Sequence, residues 1–188
     1  MSAGHHDEKN NSIFKIATNL AAACLVSGII IAGVYFITAD AAAQKAVDLK
    51  NAAMKALVQD AEKFNPVEGK EGWFTAQKGG KTIAYVVPSE SKGFGGSIKM
   101  LVAVTGDGKV LSYDITAHNE TPGLGDKANQ EPFKGQFKGK KAENLKVVKD
   151  PSDKENIQAM TGATISSRAV ANGVKKAVEE VVEFTGGK

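Results

Sequence analysis

The sequence predicts an α+β protein: an antiparallel sheet with packed helices, on a single N-terminal transmembrane helix. Three observations carry that prediction. Residues 16–39 contain no charged side chain. Ile98, Met100, Val102 and Val104 alternate with their neighbours, the period-two signature of a strand with one buried face. Val170, Val174, Ala177, Val178, Val181 and Val182 recur at intervals of three and four within 168–184, the apolar stripe of a helix.

Residues 1–15 read as a polar tail; His5-His6-Asp7 could hold a metal, but a solvated, unstructured tail is the simpler reading. Residues 16–39 form the span. About 24 residues at 1.5 Å each give about 36 Å, enough to cross a hydrocarbon core of about 30 Å with some tilt. Thr18, Asn19 and Ser27 are tolerable there because backbone carbonyls or neighbouring helices take their hydrogen bonds. The alternative is a cleaved signal peptide, since the small residues Ala39-Asp40-Ala41-Ala42-Ala43 follow; the apolar run is longer than the usual signal core of about 7–15 residues. Lysines flank both ends, so charge alone does not orient the span.

Residues 40–65 are alanine-rich, free of Gly, and end at Asn65-Pro66. They read as a helical stalk, leaving 66–188 as the folded domain. Within it, 73–77 and 82–87 flank Lys78-Gly79-Gly80-Lys81, a hairpin signal. Residues 89–96 read as a loop ending in Gly93-Phe94-Gly95-Gly96; without a following helix and lysine this is turn chemistry, not a phosphate loop. The strand from Ile98 turns at Gly106-Asp107-Gly108-Lys109 and returns over 110–117, a hairpin expected at the centre of the sheet. Residues 126–137, with Phe133 and Phe137 four apart, read as a short helix or irregular cover. Residues 145–148 read as a short strand, and 150–153 as a turn.

Composition excludes some functions. Net charge is +3, with acidic and basic residues interspersed, and no basic stripe is interleaved with aromatics, so nucleic acid is not an expected partner. Cys24 is the single cysteine and lies inside the apolar run. The chain alone builds no disulfide and no cysteine-ligated cluster, and no metal site is expected.

Two stretches carry chemistry. Thr161-Gly162-Ala163-Thr164-Ile165-Ser166-Ser167 precedes the last helix. A helix start presents unpaired N–H groups and partial positive charge, which suits a phosphate; the plainer reading is that these hydroxyls cap the helix. His118-Asn119-Glu120-Thr121-Pro122-Gly123-Leu124-Gly125 follows the strand 110–117. Pro122-Gly123 suits the middle of a type II turn, and taken alone the stretch is a surface turn.

Together the two stretches resemble the [ST]-G-A-T-x-[ST] and H-x-E-T-P-G-L-G motifs of FMN-binding domains that carry flavin through a phosphoester to threonine. With one anchor before them, they resemble the G subunits of Rnf electron-transport complexes and, next, the C subunits of sodium-pumping NADH:quinone reductases. The resemblance implies covalent FMN on Thr164. It implies support from Thr161, Gly162, Ala163 and Ser166, and contacts to the flavin ring from His118, Glu120, Thr121, Pro122, Gly123, Leu124 and Gly125. It further implies a cytoplasmic N-terminus, a flavin domain outside the cell membrane, other membrane and redox subunits as partners, and maturation by a flavin transferase using FAD and magnesium. Many relatives carry Asp six residues before the acceptor threonine; here Gln158 stands there, keeping hydrogen bonding and losing charge. Three functions stand open: an Rnf-type electron-transfer subunit without a substrate of its own; a quinone-reductase C subunit or stand-alone flavin module; and a cofactor-free membrane-anchored binding or scaffold protein.

Overall fold

A computed structural model describes residues 6–186. They divide into two compact units between Leu49 and Lys50. The first is helical, formed by helix α1, His6–Leu57, up to that boundary. Its apolar stretch Ile13–Ala42, 30 residues long, measures about 45 Å at the standard rise. Leu20, Leu25, Ile29, Ile30 and Ile31 are all more than half exposed, which suits lipid rather than water. Thr18 donates its hydroxyl proton to the Phe14 carbonyl, and Thr38 to that of Val34 at 2.8 Å. Both threonine hydroxyls of the stretch are thereby satisfied within the helix. Among the described residues this is the one helix long and apolar enough to cross a bilayer. Helix α1 already contains residues 6–15, read above as a tail; His5 of the His5-His6-Asp7 group lies outside the described residues.

The second unit is built on a five-stranded antiparallel sheet in the order β1-β2-β3-β4-β5. The strands are β1 Lys63–Pro66, β2 Phe74–Lys78, β3 Lys81–Lys92, β4 Ser97–Val104 and β5 Val110–Ala117. Helix α2, Thr164–Thr185, packs on one face. Its predicted stripe Val170, Val174, Ala177, Val178 and Val181 is buried against Ile98, Met100, Val102 and Val104 of β4. The other face is covered by Met54 and Leu57 from the end of α1 with Val58 and Ala61, against Ala76, Ala84, Val86 and Ala103. Short 3-10 turns, Gly125–Asn129 and Lys134–Phe137, pack alongside β5, where the Ile115 N–H donates to Asn129 Oδ1 at 3.1 Å. There Phe133 and Phe137 pack together, and Tyr113 sits edge-on to Phe137 at 4.9 Å. A two-stranded parallel pair, β6 Val147–Val148 with β7 Ile157–Gln158, leads into α2.

The α+β class, the last helix and both hairpin turns agree with the sequence. Three local expectations do not. The stalk helix ends at Leu57, not at Asn65-Pro66, because Lys63–Pro66 pair with Phe74–Gln77; strand pairing and burial of Val58 and Ala61 override good helix formers. The 110–117 strand is an outer strand and β3 is the middle one, since the 74–92 hairpin joins the same sheet and β1, from the stretch read as helix, extends it further. The loop expected over 89–96 is strand as far as Lys92, paired Ser89↔Met100 through Lys92↔Ser97. Its inward residues are serines, which hide the alternation. Ser89 and Ser91 each donate, at 2.7 Å, to the carbonyls of Gly173 and Ala169 in α2. Polar side chains face that helix because it lies close: a Cβ on Gly173 would stand 2.8 Å from Met100 Cε.

Candidate functional site

Three segments converge at one end of the sheet: the turn 93–96 joining β3 to β4, the loop 118–125 leaving β5, and the start of α2. They enclose a cavity of about 410 Å³. Its lining includes Glu120, Thr121, Leu124 and Gly125 from the loop, and Gly162, Ala163, Thr164 and Ser166 from the helix start. The two motifs, separated in sequence, therefore share one concavity.

The loop 118–125 is a type II turn centred on Pro122 and Gly123, as its sequence suggests. The Thr121 carbonyl accepts the N–H of Leu124 at 3.2 Å and of Gly125 at 3.1 Å. Gly123 has φ of 77°, a conformation costly for any residue with a Cβ. Glu120, 6 % exposed, is the centre of the arrangement. Its Oε1 accepts the Gly95 N–H at 2.9 Å, and its Oε2 accepts the Ser166 hydroxyl. The Glu120 N–H donates to His118 Nδ1 at 3.2 Å. One carboxylate thus ties together all three segments. Gly125 permits the closeness: a Cβ there would lie 2.7 Å from both Glu120 Oε2 and Ser166 Oγ.

At the helix start the chain turns through Met160-Thr161-Gly162-Ala163, with the Ala163 N–H donating to the Met160 carbonyl at 3.1 Å and Gly162 at φ 76°. Ser167 braces the turn: its Oγ donates to the Ala163 carbonyl at 2.8 Å and accepts the Met160 N–H at 3.0 Å. Among the described residues no side chain caps α2, and its first turn holds no acidic residue. This overturns the reading of the hydroxyl cluster as helix caps. The start of this 22-residue helix faces the cavity; the one carboxylate beside it, Glu120, takes the Ser166 hydroxyl and caps none of the first backbone N–H groups, which leaves them for a phosphate group. Thr164, the first helical residue, is half-buried and lines the same space. The apolar side chains beside it suit a flat aromatic ligand, and the volume falls in the ordinary range for small-molecule sites, about 300–1,000 Å³.

Of the residues named from sequence, His118, Pro122, Gly123 and Thr161 are not in the cavity lining. The first three shape the loop, and Thr161 shapes the turn before α2. The lining also includes Phe94 and Ile165, which sequence reasoning passed over. Their signal was available: Phe94 is a large apolar residue between glycines, and Ile165 is one between the hydroxyl residues Thr164 and Ser166. Gln158 has a structural part to play. Its Nε2 donates to the carbonyls of Asp150 at 2.8 Å and Asp153 at 2.6 Å, which an aspartate could not do.

A sheet crossed by one helix, with that helix's uncapped start and a glycine-bearing loop facing an apolar-rimmed cavity, defines a domain for a planar ligand bearing a phosphate. The sequence over 93–179 matches the FMN-binding domain family. It is 63 % identical over 182 residues to the G subunit of the proton-translocating ferredoxin:NAD(+) oxidoreductase complex of Clostridium ljungdahlii, covering 97 % of this chain and 98 % of that one. It is 36 % identical over 110 residues to the G subunit of the Na(+)-translocating ferredoxin:NAD(+) oxidoreductase complex of Acetobacterium woodii, covering 56 % and 53 % of the two chains. The fold is similar to the crystal structure of Shewanella oneidensis NqrC, with a TM-score of 0.52, 20 % identity, and 70 % and 74 % of the two chains covered. The chain belongs to the G-subunit family of ion-translocating ferredoxin:NAD(+) oxidoreductase complexes of the Rnf type.

Proposed function

We propose that this chain carries FMN through a phosphoester to Thr164 Oγ1 and passes electrons between neighbouring subunits of an Rnf-type ferredoxin:NAD(+) oxidoreductase complex, with no substrate site of its own. The observation that carries the reading is the Thr164 hydroxyl beside the cavity, at a helix start that no described side chain caps. Bound flavin supplies one- and two-electron chemistry. The chain's part is to hold it, exclude water and set its potential. The N–H groups at the start of α2 offset the phosphodiester charge. Of the loop 118–125, Glu120, Thr121, Leu124 and Gly125 would face the ring, and the Glu120 carboxylate would oppose added negative charge there, more strongly the drier the site.

Attachment is the work of a flavin transferase. The Thr164 hydroxyl would accept the FMN phosphoryl group of FAD, a P–O bond to Oγ1 forming as the bond to AMP breaks and the hydroxyl proton is released. Covalent attachment suits a carrier facing an open compartment, where even micromolar binding, about −8 kcal/mol, lets a cofactor be diluted away. The chain is a single-pass protein, residues 1–15 cytoplasmic, 16–39 spanning, 40–65 leading out, and 66–188 forming the flavin domain on the extracytoplasmic side. The quinone-reductase C subunit is the weaker reading, because the identity to a G subunit runs over nearly the whole chain. The scaffold reading is weakened by the uncapped helix.

The test is mass spectrometry of the protein from its native membrane. Intact mass should exceed the sequence mass by FMN minus one water, with the gain mapped to Thr164. Thr164→Val should abolish in-gel flavin fluorescence while the domain still folds. An unmodified native protein, or flavin on Thr161 or Ser166, would sink the assignment.

A further inference from the structure

Among residues 50–186, four large apolar side chains stand substantially exposed: Phe94 at 69 %, Ile165 at 54 %, Phe184 at 44 % and Leu124 at 43 %. Phe184 is already engaged, edge-on to Trp73 and Tyr85 at 5.6 and 5.9 Å between ring centroids. The other three line the cavity between the motifs. Apolar surface left in water is unfavourable in proportion to its area. Three such side chains converging on one concavity mark where the apolar part of a ligand sits.

Phe94 differs from the other two because it belongs to neither motif. It lies in the turn 93–96, and that turn is fixed in place. The Gly93 N–H donates to the Gly96 carbonyl at 2.7 Å, and the Gly95 N–H to Glu120 Oε1 at 2.9 Å. A Cβ on Gly95 would lie 1.8 Å from the Asn119 carbonyl oxygen, and one on Gly93 would lie 2.3 Å from Glu120 Oε1. The glycines on both sides of Phe94 thus let the turn press on residues 119–120. The fold has no need of an aromatic there, since turn formation asks only for the glycines and Phe94 remains mostly in solvent.

We propose that Phe94 is a flavin-positioning residue, an aromatic cover that packs on the isoalloxazine and shields it from water, with Ile165 and Leu124 completing the apolar wall. This rests on the reading that FMN is attached at Thr164. Glu120 holds both the turn of Phe94 and Ser166, two residues beyond the attachment hydroxyl. The cover and the tether are therefore held by one carboxylate, which keeps the ring's apolar contact in register with its covalent anchor.

The test uses the full flavinylated chain, with intact mass reporting FMN on wild type, Phe94→Trp and Phe94→Ala. An indole in contact with a flavin quenches its emission by donating an electron to the excited ring. Phe94→Trp should therefore lose most of the native flavin fluorescence and regain it in denaturant. Phe94→Ala should keep its flavin and become several times more sensitive to quenching by iodide, because the ring is uncovered. An undimmed Trp variant, or unchanged iodide quenching in the Ala variant, at full FMN mass overturns the role of Phe94 and leaves the attachment reading standing. A native wild-type chain without the FMN mass overturns both.

Discussion

Replacing Glu120 by alanine removes the one side chain that joins the turn 93–96, the loop 118–125 and helix α2. Its two bonds go to different environments. Ser166 is buried, so a hydroxyl left without its acceptor costs about 1–3 kcal/mol. Gly95 is exposed, so water replaces the lost acceptor and the net loss is nearer ~0.5–1 kcal/mol. Loss of the glutamate methylenes from a packed site adds about 1 kcal/mol. Removing a buried carboxylate that has no cation beside it among the described residues returns part of this, because its desolvation penalty disappears. The sum is a destabilisation of about 2–4 kcal/mol, or roughly 6–12 °C in Tm at ~3 °C per kcal/mol for a domain of this size. Glu120→Gln should cost much less. Its oxygen can accept the Gly95 N–H while its amide donates to Ser166 Oγ, which is able to accept. With the charge gone, the flavin midpoint potential should move upward while attachment is retained. The assays are thermal or urea unfolding and redox titration of the detergent-solubilised, flavinylated chain. Equal stability of Glu120→Ala and wild type would rule out the carboxylate as a tie. If Glu120→Gln proved as damaging as Glu120→Ala, hydrogen bonding would not be what holds the segments together. An unchanged potential in Glu120→Gln would leave Glu120 a structural residue only, and loss of flavin would mean that the transferase reads this loop.

The side of the membrane can be read with a membrane-impermeant lysine reagent in intact cells with a permeabilised outer envelope. Lys138 is exposed, whereas Lys140 is half-buried with its Nζ directed at the carbonyls of Lys154 and Glu155, so Lys138 should label first; labelling only after the inner membrane is broken would reverse the orientation. In the β4–β5 turn, Lys109 at 2.7 Å and the Thr105 hydroxyl hold the Asp107 carboxyl down at about 2, from an ordinary 3.8. A folded value below the unfolded one makes its stabilisation complete above the unfolded value and lost as pH falls through the folded one. Asp107→Asn should accordingly lower the urea midpoint at neutral pH by the equivalent of less than about 1 kcal/mol, since the pair is solvent-screened, and the difference should shrink as pH falls from the unfolded value and be mostly lost by pH 2. A gap that persisted there would assign the effect to the turn's hydrogen bonds instead of the charge. Gln158→Asp removes two donated hydrogen bonds to residues 150 and 153 and should raise hydrogen exchange or proteolysis in 150–156; unaltered protection would mean that β6–β7 pairing alone holds the segment.

Elements whose signal is local and periodic could be read without any structure. The apolar run over 16–39, the alternation from Ile98, the stripe of α2 and the glycine-bearing turns all repeat at the spacing of the structure they form, and each is seen where expected. The turn at Pro122-Gly123 was legible for a similar reason, since Gly123 adopts a backbone conformation that few other residues take, whereas both motifs stood out as a site only through their resemblance to a family. Features that depend on a distant partner emerged only from the folded chain. Residues 63–66 are strand because β2 lies beside them. Residues 89–92 are strand because the carbonyls of α2 accept from Ser89 and Ser91, so their inward face is polar and carries no hydrophobic period. The start of α2 lies open because no described side chain reaches back to cap it, a fact that the hydroxyl residues alone do not reveal. Glu120 reads locally as one charged residue in a surface turn. Its burial and its two acceptor bonds exist only because turn 93–96 and Ser166, 25 and 46 residues away, fold onto it. Long-range contacts of this kind leave no period in the sequence, and they are what bring Phe94 to the cavity.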